Sequence, residues 1–453
     1  MQAGRVARSV VAIAVALFLV RVLGEPWTGG FDPFFPDTAS YVRVADRGPF
    51  WPRFWFDERP PLYPLVLWFF GSGGRAVVVV QVAAYALAWV WLASVVWRRI
   101  TSRPVAVAVI GVMSLTAIQA RWALWTTHLL TESLSITLAV AGVAAWWQFV
   151  AEPRRWRIVV ATSITASWML LRDSNSLTFL AFAVPALVLA TLLARRTPTE
   201  LRRYSAAGLA VLVATGVYSS IGQLAADRGE TSFHNNVGLR WLPDAGMTSF
   251  FESRGMPVDE ALVGRTGADS WADGEAFLRD PALAEYRKWA DGRGRMAAAE
   301  SFVLEVPFWL DGLRGDLGRF LDDDFTAYDL FGVGERLPRR TLGPFDPVGS
   351  PTMMAVGAVA STAAALVAAR RRRALALLCG FVLVPAWIDL YLSYAGDAVE
   401  VGRHLIGPLS RLSVGMVVVI GIGIDALLDA RHDRWRHARP GVETGDSLEW
   451  AEG

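Results

Sequence analysis

Residues 75–103 read RAVVVVQVAAYALAWVWLASVVWRRITSR, and the reading of this stretch decides the fold. Between Arg75 and Arg98 it is apolar apart from Gln81 and Ser94. At about 1.5 Å per residue, a helix of that length crosses a hydrocarbon core of roughly 30 Å. It runs straight into Arg98, Arg99 and Arg103. A spanning helix that ends on a cluster of arginines marks that end as cytoplasmic, because basic links resist translocation.

Similar apolar blocks lie on either side, at 9–24, 104–122, 128–150, 157–171, 174–194, 204–224, 351–369, 374–394 and 405–429. With 75–97 they predict about ten spans. The bulk composition agrees. The 453 residues are 53% hydrophobic and 19% charged, with a mean hydropathy of +0.35, whereas soluble domains carry about a quarter charged residues. Every second link is basic: Arg98, Arg99 and Arg103; Arg154, Arg155 and Arg157; Arg195, Arg196, Arg202 and Arg203; Arg370 to Arg373; and a tail with Arg431, Arg434, Arg436 and Arg439. Both termini are therefore expected in the cytoplasm, in a multi-pass protein of the cytoplasmic membrane.

That alternation also decides an ambiguous segment. Residues 61–71, PLYPLVLWFFG, are apolar but short and contain two prolines. Counting them as a span would invert every later link. They are read instead as a re-entrant or interfacial helix on the outer side. Likewise Arg5 and Arg8 followed by VVAIAVALFLV resemble a secretory signal. No small-residue cleavage site follows, so the segment reads as the first span.

Four regions result. Residues 1–224 form an N-terminal transmembrane module whose first outer loop is 25–74. Residues 225–350 form a small, mainly helical extracytoplasmic domain, too long for a connector. Residues 351–430 hold the last spans, and 431–453 a polar cytoplasmic tail. No internal repeat is visible. Lys288 is the sole lysine; with abundant Ala, Val and Gly, that bias fits a GC-rich bacterial genome of the actinobacterial kind. The one cysteine, Cys379, lies in an apolar block, so neither a disulfide framework nor a thiolate cluster is expected.

Ionisable residues inside spans are costly, so their depth is informative. Glu132 opens the fourth span, and Arg172 sits at the turn between the fifth and sixth. Asp389 lies in the outer third of the ninth. Asp397, Glu400, Arg403 and His404 form the last outer turn, and Arg411 lies one or two turns inside the tenth helix. Crowding at one depth points to a polar site at the outer leaflet. The bland reading of any one of these is a snorkelling helix-end charge. Asp389 and Arg411 lie at neither end of their spans and are candidates to pair with each other.

The first outer loop carries the most specific pattern: FFPDTASYVRVADRGPFWPRFWFDERPPLYPLVLWFFG, residues 34–71. Asp37 and Tyr41 form Asp-x-x-x-Tyr, and Arg59-Pro60-Pro61-Leu62-Tyr63 follows about twenty residues on. Leu130-Thr131-Glu132-Ser133-Leu134 opens a middle span, and Arg403-His404-Leu405-Ile406-Gly407-Pro408-Leu409 precedes the last. In their order these elements resemble the GT-C superfamily of polytopic glycosyltransferases, notably aminoarabinose transferases and bacterial relatives of protein O-mannosyltransferases. Thr38 departs from the pattern, since many relatives carry a second acid there.

The resemblance implies a GT-C-like helix bundle and transfer of a sugar from a polyprenyl-phosphate donor to a cell-envelope acceptor hydroxyl. In that chemistry a carboxylate takes the acceptor proton, and arginine forks stabilise the departing phosphate. Asp37 is then the base. Arg59, Arg172 and Arg403 bind phosphate, while Tyr41, Tyr63, Glu132, Asp389, His404 and Arg411 support them. Aromatics of 61–71 would border a groove for the isoprenoid. From the loop alone, Asp37 reads equally as a helix N-cap, and Arg59 as a partner of Asp57 or Glu58. A divalent metal is compatible with Asp37, Glu132 and Asp389, although no spacing demands one. With no P-loop or Rossmann glycine pattern, neither a nucleotide donor nor a nucleic-acid partner is expected. Membrane lipids are. The rival readings are an O-antigen polymerase or ligase, with key Arg/His groups in the late loop, a transporter or flippase, with polar groups at mid-membrane, and a catalytically silent scaffold.

Overall fold

The computed structural model describes residues 35, 37–182, 199–322, 342, 346–371 and 373–437. The expected span at 9–24, part of that at 174–194 and the end of the polar tail lie outside them. Among the described residues every regular element is helical. Those that frame the site are α1 (Thr38–Arg47), α2 (Leu62–Phe70), α3 (Arg75–Arg99), α4 (Arg103–Ala117), α5 (Thr131–Ala151), α6 (Arg155–Met169) and α7 (173–182). They continue with α8 (Thr199–Ala225), α9 (Glu230–Asn236), α10 (Pro351–Arg371), α11 (Arg373–Gly396) and α12 (Val401–His437).

Six stretches are long and apolar enough to cross a membrane, in α3, α5, α8, α10, α11 and α12. A seventh span is made if α4 is joined to the following helical piece, from which it bends by 62°. The chain is a multi-pass membrane protein. The described residues supply six or seven of the roughly ten expected spans. α6 has 15 residues, or about 22 Å, which falls short of a full crossing.

α2, with nine residues, is also far too short to span. It packs on α1 and buries Tyr63 and Leu67 while leaving Trp68, Phe69 and Phe70 exposed. In the bundle α12 packs on both α10 and α11, α3 packs on α5, and α5 on α6. α5, α6, α11 and α12 have no single apolar face. They are apolar nearly all round, as suits helices with protein on one side and lipid on the other.

Arg98 and Arg99 close α3, Arg103 opens α4 and Arg154 caps α6, so these basic links share one end of the bundle. There Glu152 pairs with Arg99 at 2.6 Å and Arg157 at 2.7 Å. The opposite end carries α1, α2 and a segment of short helices from Glu230 to Asp322. That segment has its own aromatic core, in which Trp241 stacks on Phe251 at 3.9 Å and His234 lies against Phe277 at 5.6 Å.

Candidate active site

At the start of α1, Thr38 ties the chain entering the helix to the bundle. Its buried hydroxyl accepts from the Phe35 N–H at 2.9 Å and donates to the Leu129 carbonyl at 3.0 Å. Asp37 occupies the N-cap position but makes no capping hydrogen bond through its side chain. Its carboxylate turns to two arginines instead. Asp37 Oδ1 accepts from Arg59 Nη2 at 2.9 Å, and Oδ2 from Arg403 Nη2 at 2.5 Å. The N-cap alternative therefore fails, and so does pairing of Arg59 with its neighbours. Asp57 pairs with Arg47, and Glu58 with Arg43.

Helical spacing explains the Asp-x-x-x-Tyr pattern. Asp37, Ser40 and Tyr41 fall three and four residues apart, on one face of α1. All three hold Arg59: its Nε donates to Ser40 Oγ at 2.6 Å, and its guanidinium lies 4.7 Å from the centre of the Tyr41 ring. Tyr63, four residues beyond Arg59, meets Tyr41 edge-on at 5.2 Å. Its hydroxyl donates to Gln81 Oε1 at 2.8 Å, and Gln81 donates to the carbonyls of Thr126 and His128. Tyr63 is fully buried. Its position is that of a strut behind Tyr41.

On the other side of Asp37, the first turn of α12 supplies Arg403. Its Nε lies 3.2 Å from Glu132 Oε1 and its Nη1 lies 2.8 Å from Glu400 Oε2. Neither contact has hydrogen-bond alignment, so both act as charge contacts. Arg172 approaches the same Glu132 oxygen at 3.8 Å and reaches His404 Nδ1 at 3.0 Å through Nη2. One network thus joins Asp37, Arg59, Arg403, Glu132, Arg172 and His404. Asp37 and Arg59 are each 28% exposed, whereas Glu132 is 2% exposed. The open mouth is at Asp37.

Burial tends to raise the Asp37 carboxyl, but Arg403 and Arg59 together outweigh it and hold the group below its ordinary 3.8. Glu400 lies in the opposite case, raised by burial despite Arg403. Its backbone sits at φ 52°, a left-handed conformation that disfavours residues bearing a Cβ. The turn accepts that strain while aiming the carboxylate at Arg403.

Asp389 and Arg411 pair with each other, apart from this network. Thr178 donates to Asp389 at 2.9 Å, and Arg411 lies 4.6 Å from the centre of the Trp168 ring. Arg411 borders an apolar groove of roughly 620 Å³, counting space open at its mouth, lined by Leu138, Trp146, Trp168, Phe179 and Phe381 among others. It begins on α5 at Leu138, six residues past Glu132 and so about 9 Å along the helix. No group of three His, Cys, Asp or Glu residues suited to a metal ion occurs among the described residues.

Ser40 and Gln81 are the members that sequence reasoning missed. Each is a common polar residue, and its partner depends on the fold of the first outer loop and the helices beside it.

No protein-family model matches the chain, and no curated protein matches it in sequence. Solved structures do match in a structural comparison, and two of them are oligosaccharyltransferases. The archaeal oligosaccharyltransferase AglB of Archaeoglobus fulgidus, in complex with an inhibitory peptide and a dolichol-phosphate, is 12% identical over 98% of this chain and 53% of its own, with a TM-score of 0.42. An Archaeoglobus fulgidus oligosaccharyltransferase tethered to an acceptor peptide is 13% identical over 98% of this chain and 52% of its own, with a TM-score of 0.43. Those scores are too low to assign a fold. The chain spans about half the length of the proteins it matches.

Proposed function

We propose that this chain is a GT-C-type glycosyltransferase. It moves a sugar from a polyprenyl-phosphate donor to a cell-envelope hydroxyl at the outer face of the cytoplasmic membrane. The observation that carries this reading is the part-exposed Asp37 clamped between Arg59 and Arg403, with Arg172 behind.

Three arginines converging on three carboxylates, Asp37, Glu132 and Glu400, hold more hydrogen-bond donors than those carboxylates align with, which suits a phosphate ligand. In the free site Arg59 and Arg403 neutralise Asp37. A donor phosphate attracts the same guanidiniums and releases the carboxylate toward the acceptor. Asp37 then takes the acceptor proton as the hydroxyl oxygen bonds to the anomeric carbon. The anomeric carbon–oxygen bond breaks, and its electron pair leaves with the lipid phosphate, whose charge the arginines stabilise.

The groove beside Arg411 takes the isoprenoid chain, and the exposed aromatics of α2 lie in the headgroup layer. Termini in the cytoplasm and a short-helix domain outside complete this orientation. A transporter would need its polar groups free at mid-membrane; the deep pair here, Asp389 with Arg411, is neutralised internally.

The test is transfer of labelled sugar from polyprenyl-phosphate sugars by the purified protein. Asp37→Asn should reduce kcat by about 10²-fold or more, the usual contribution of a positioned base. Undiminished transfer by that variant would overturn the assignment.

A further inference from the structure

Asp397 lies in the short connection between α11 and α12 and belongs to none of the roles assigned above. Its oxygens nonetheless collect donors from two directions. From α9, Ser232 donates to Oδ2 at 2.7 Å and Asn235 donates to Oδ1 at 3.0 Å. The Val399 N–H adds a bond to Oδ1 at 2.9 Å. Asn235 is itself oriented, because its Oδ1 accepts from the Ser270 N–H at 2.9 Å. Asn236, the next residue of α9, donates to the Ala395 and Gly396 carbonyls at 2.9 and 3.1 Å. The short-helix segment therefore grips this connection by both side chain and backbone.

The far side of Asp397 meets His404, whose Nε2 is 3.7 Å from Oδ2. The other ring nitrogen, Nδ1, lies 3.0 Å from Arg172 Nη2. Arginine has donors and no acceptor, so Nδ1 must be the acceptor in that bond. A neutral His404 then carries its proton on Nε2, facing the carboxylate. That negative charge favours this tautomer over the other.

We propose that Asp397 is a positioning residue: held by α9, it fixes the tautomer and orientation of His404, which in turn holds Arg172 toward Glu132 and the donor. The short-helix segment thereby sets the aim of an arginine whose own polar partners, among the described residues, are His404 and Glu132. The proposal rests on the reading of Arg172 as a phosphate contact.

An amide at position 397 keeps its oxygen toward the Asn235 NH2 and the Val399 N–H, which only donate, so its NH2 turns to Ser232, whose hydroxyl can accept, and to His404. With the NH2 toward His404, the ring shifts its proton to Nδ1, where it opposes the Arg172 donor and releases that side chain.

The experiment uses the full chain in lipid nanodiscs, labelled with nitrogen-15 at histidine. The His404 signals are assigned by their loss in His404→Gln. The wild type should show an unprotonated Nδ1. Asp397→Asn, and Ser232→Ala combined with Asn235→Ala, should both move the proton toward Nδ1 in protein that remains folded. In transfer assays Asp397→Asn should raise the donor KM about tenfold, the loss expected for one charge-assisted hydrogen bond, with kcat within about twofold. His404→Gln, whose amide both accepts from Arg172 and donates to Asp397, should keep the wild-type KM, while His404→Ala should not.

An unchanged tautomer in Asp397→Asn, or a glutamine variant as impaired as the alanine one, would overturn the relay. If no polyprenyl sugar is transferred but the tautomer shifts as stated, the relay stands and the transferase reading fails.

Discussion

Asp37 and Arg403 lie 366 positions apart and meet at 2.5 Å. Their contact makes the site a property of side chains drawn from both ends of the chain. Because the Asp37 carboxyl is held below its ordinary value, it contributes stability that is present above the unfolded value and lost only as pH falls through the lower folded one. It therefore stays ionised throughout the neutral range. A weak base by that measure, it gains strength when a ligand phosphate takes over its arginines. The Asp389–Arg411 pair obeys a different logic. Both groups are buried among apolar helices, so removing one leaves an uncompensated charge. Asp389→Ala should lower stability by roughly 3–5 kcal/mol, whereas Asp389→Ala with Arg411→Leu should cost much less. Thermal unfolding of the two variants beside the wild type checks this, and equal losses in the single and double variants would exclude the pairing as the cause.

At the scale of elements, α1 shows why a loop motif can be read as chemistry. Its face carries Asp37, Ser40 and Tyr41, and all three hold one guanidinium. α9 shows the converse: nothing in ETSFHNN advertises a role, yet Ser232, Asn235 and Asn236 all bind the connection ahead of α12. The same helix carries His234 inward to Tyr286, with Nδ1 2.7 Å from the hydroxyl. Burial pushes this imidazole down from 6.5 to about 4. Between those values the unfolded chain binds a proton that the folded one does not, so stability rises with pH across the window and falls on acidification. The slope approaches about 1.4 kcal/mol per pH unit. The short-helix segment should therefore melt at progressively lower temperature from pH 6.5 down to 4. His234→Phe should start lower, because Tyr286 loses its partner, and show a flatter dependence. A slope in that variant equal to the wild type's would mean that His234 is not the titrating group.

At the scale of the whole molecule, the arginine-rich links and the network around Asp37 lie at opposite ends of one bundle. The proposed orientation places the first in the cytoplasm and the second outside. Cysteine labelling tests it directly. Cys379 is buried and can be replaced by alanine to give a silent background. In intact cells a membrane-impermeant maleimide should label Arg279→Cys, in the short-helix segment, and spare Arg154→Cys, at the basic end. Both positions are well exposed, at 74% and 62%, so access to the side chain itself is not limiting. The reverse pattern would move the Asp37 mouth to the cytoplasm and remove the envelope acceptor from the proposal.

Sequence by itself determined the membrane character of the chain, the short α2 as a non-spanning element and the short list from which the site is built. The physical reason is that bilayer thickness and charge placement act through local composition, which is written residue by residue. Glu132, Arg172, Arg403 and His404 were legible as polar residues costly to place at the ends of spans, and Asp37 and Arg59 through a loop pattern that resembles the GT-C superfamily. What only the tertiary structure decided is who pairs with whom. Arg59 had acidic neighbours at Asp57 and Glu58 yet turns to Asp37, because α1 and α2 pack together. Asp389 and Arg411 separate from the network, and Arg411 borders the groove. Asp397, anchored by α9, reaches His404. Long-range pairing depends on helix packing, and packing in an apolar bundle leaves little periodic trace in the sequence, since lipid-facing and protein-facing positions are almost equally apolar.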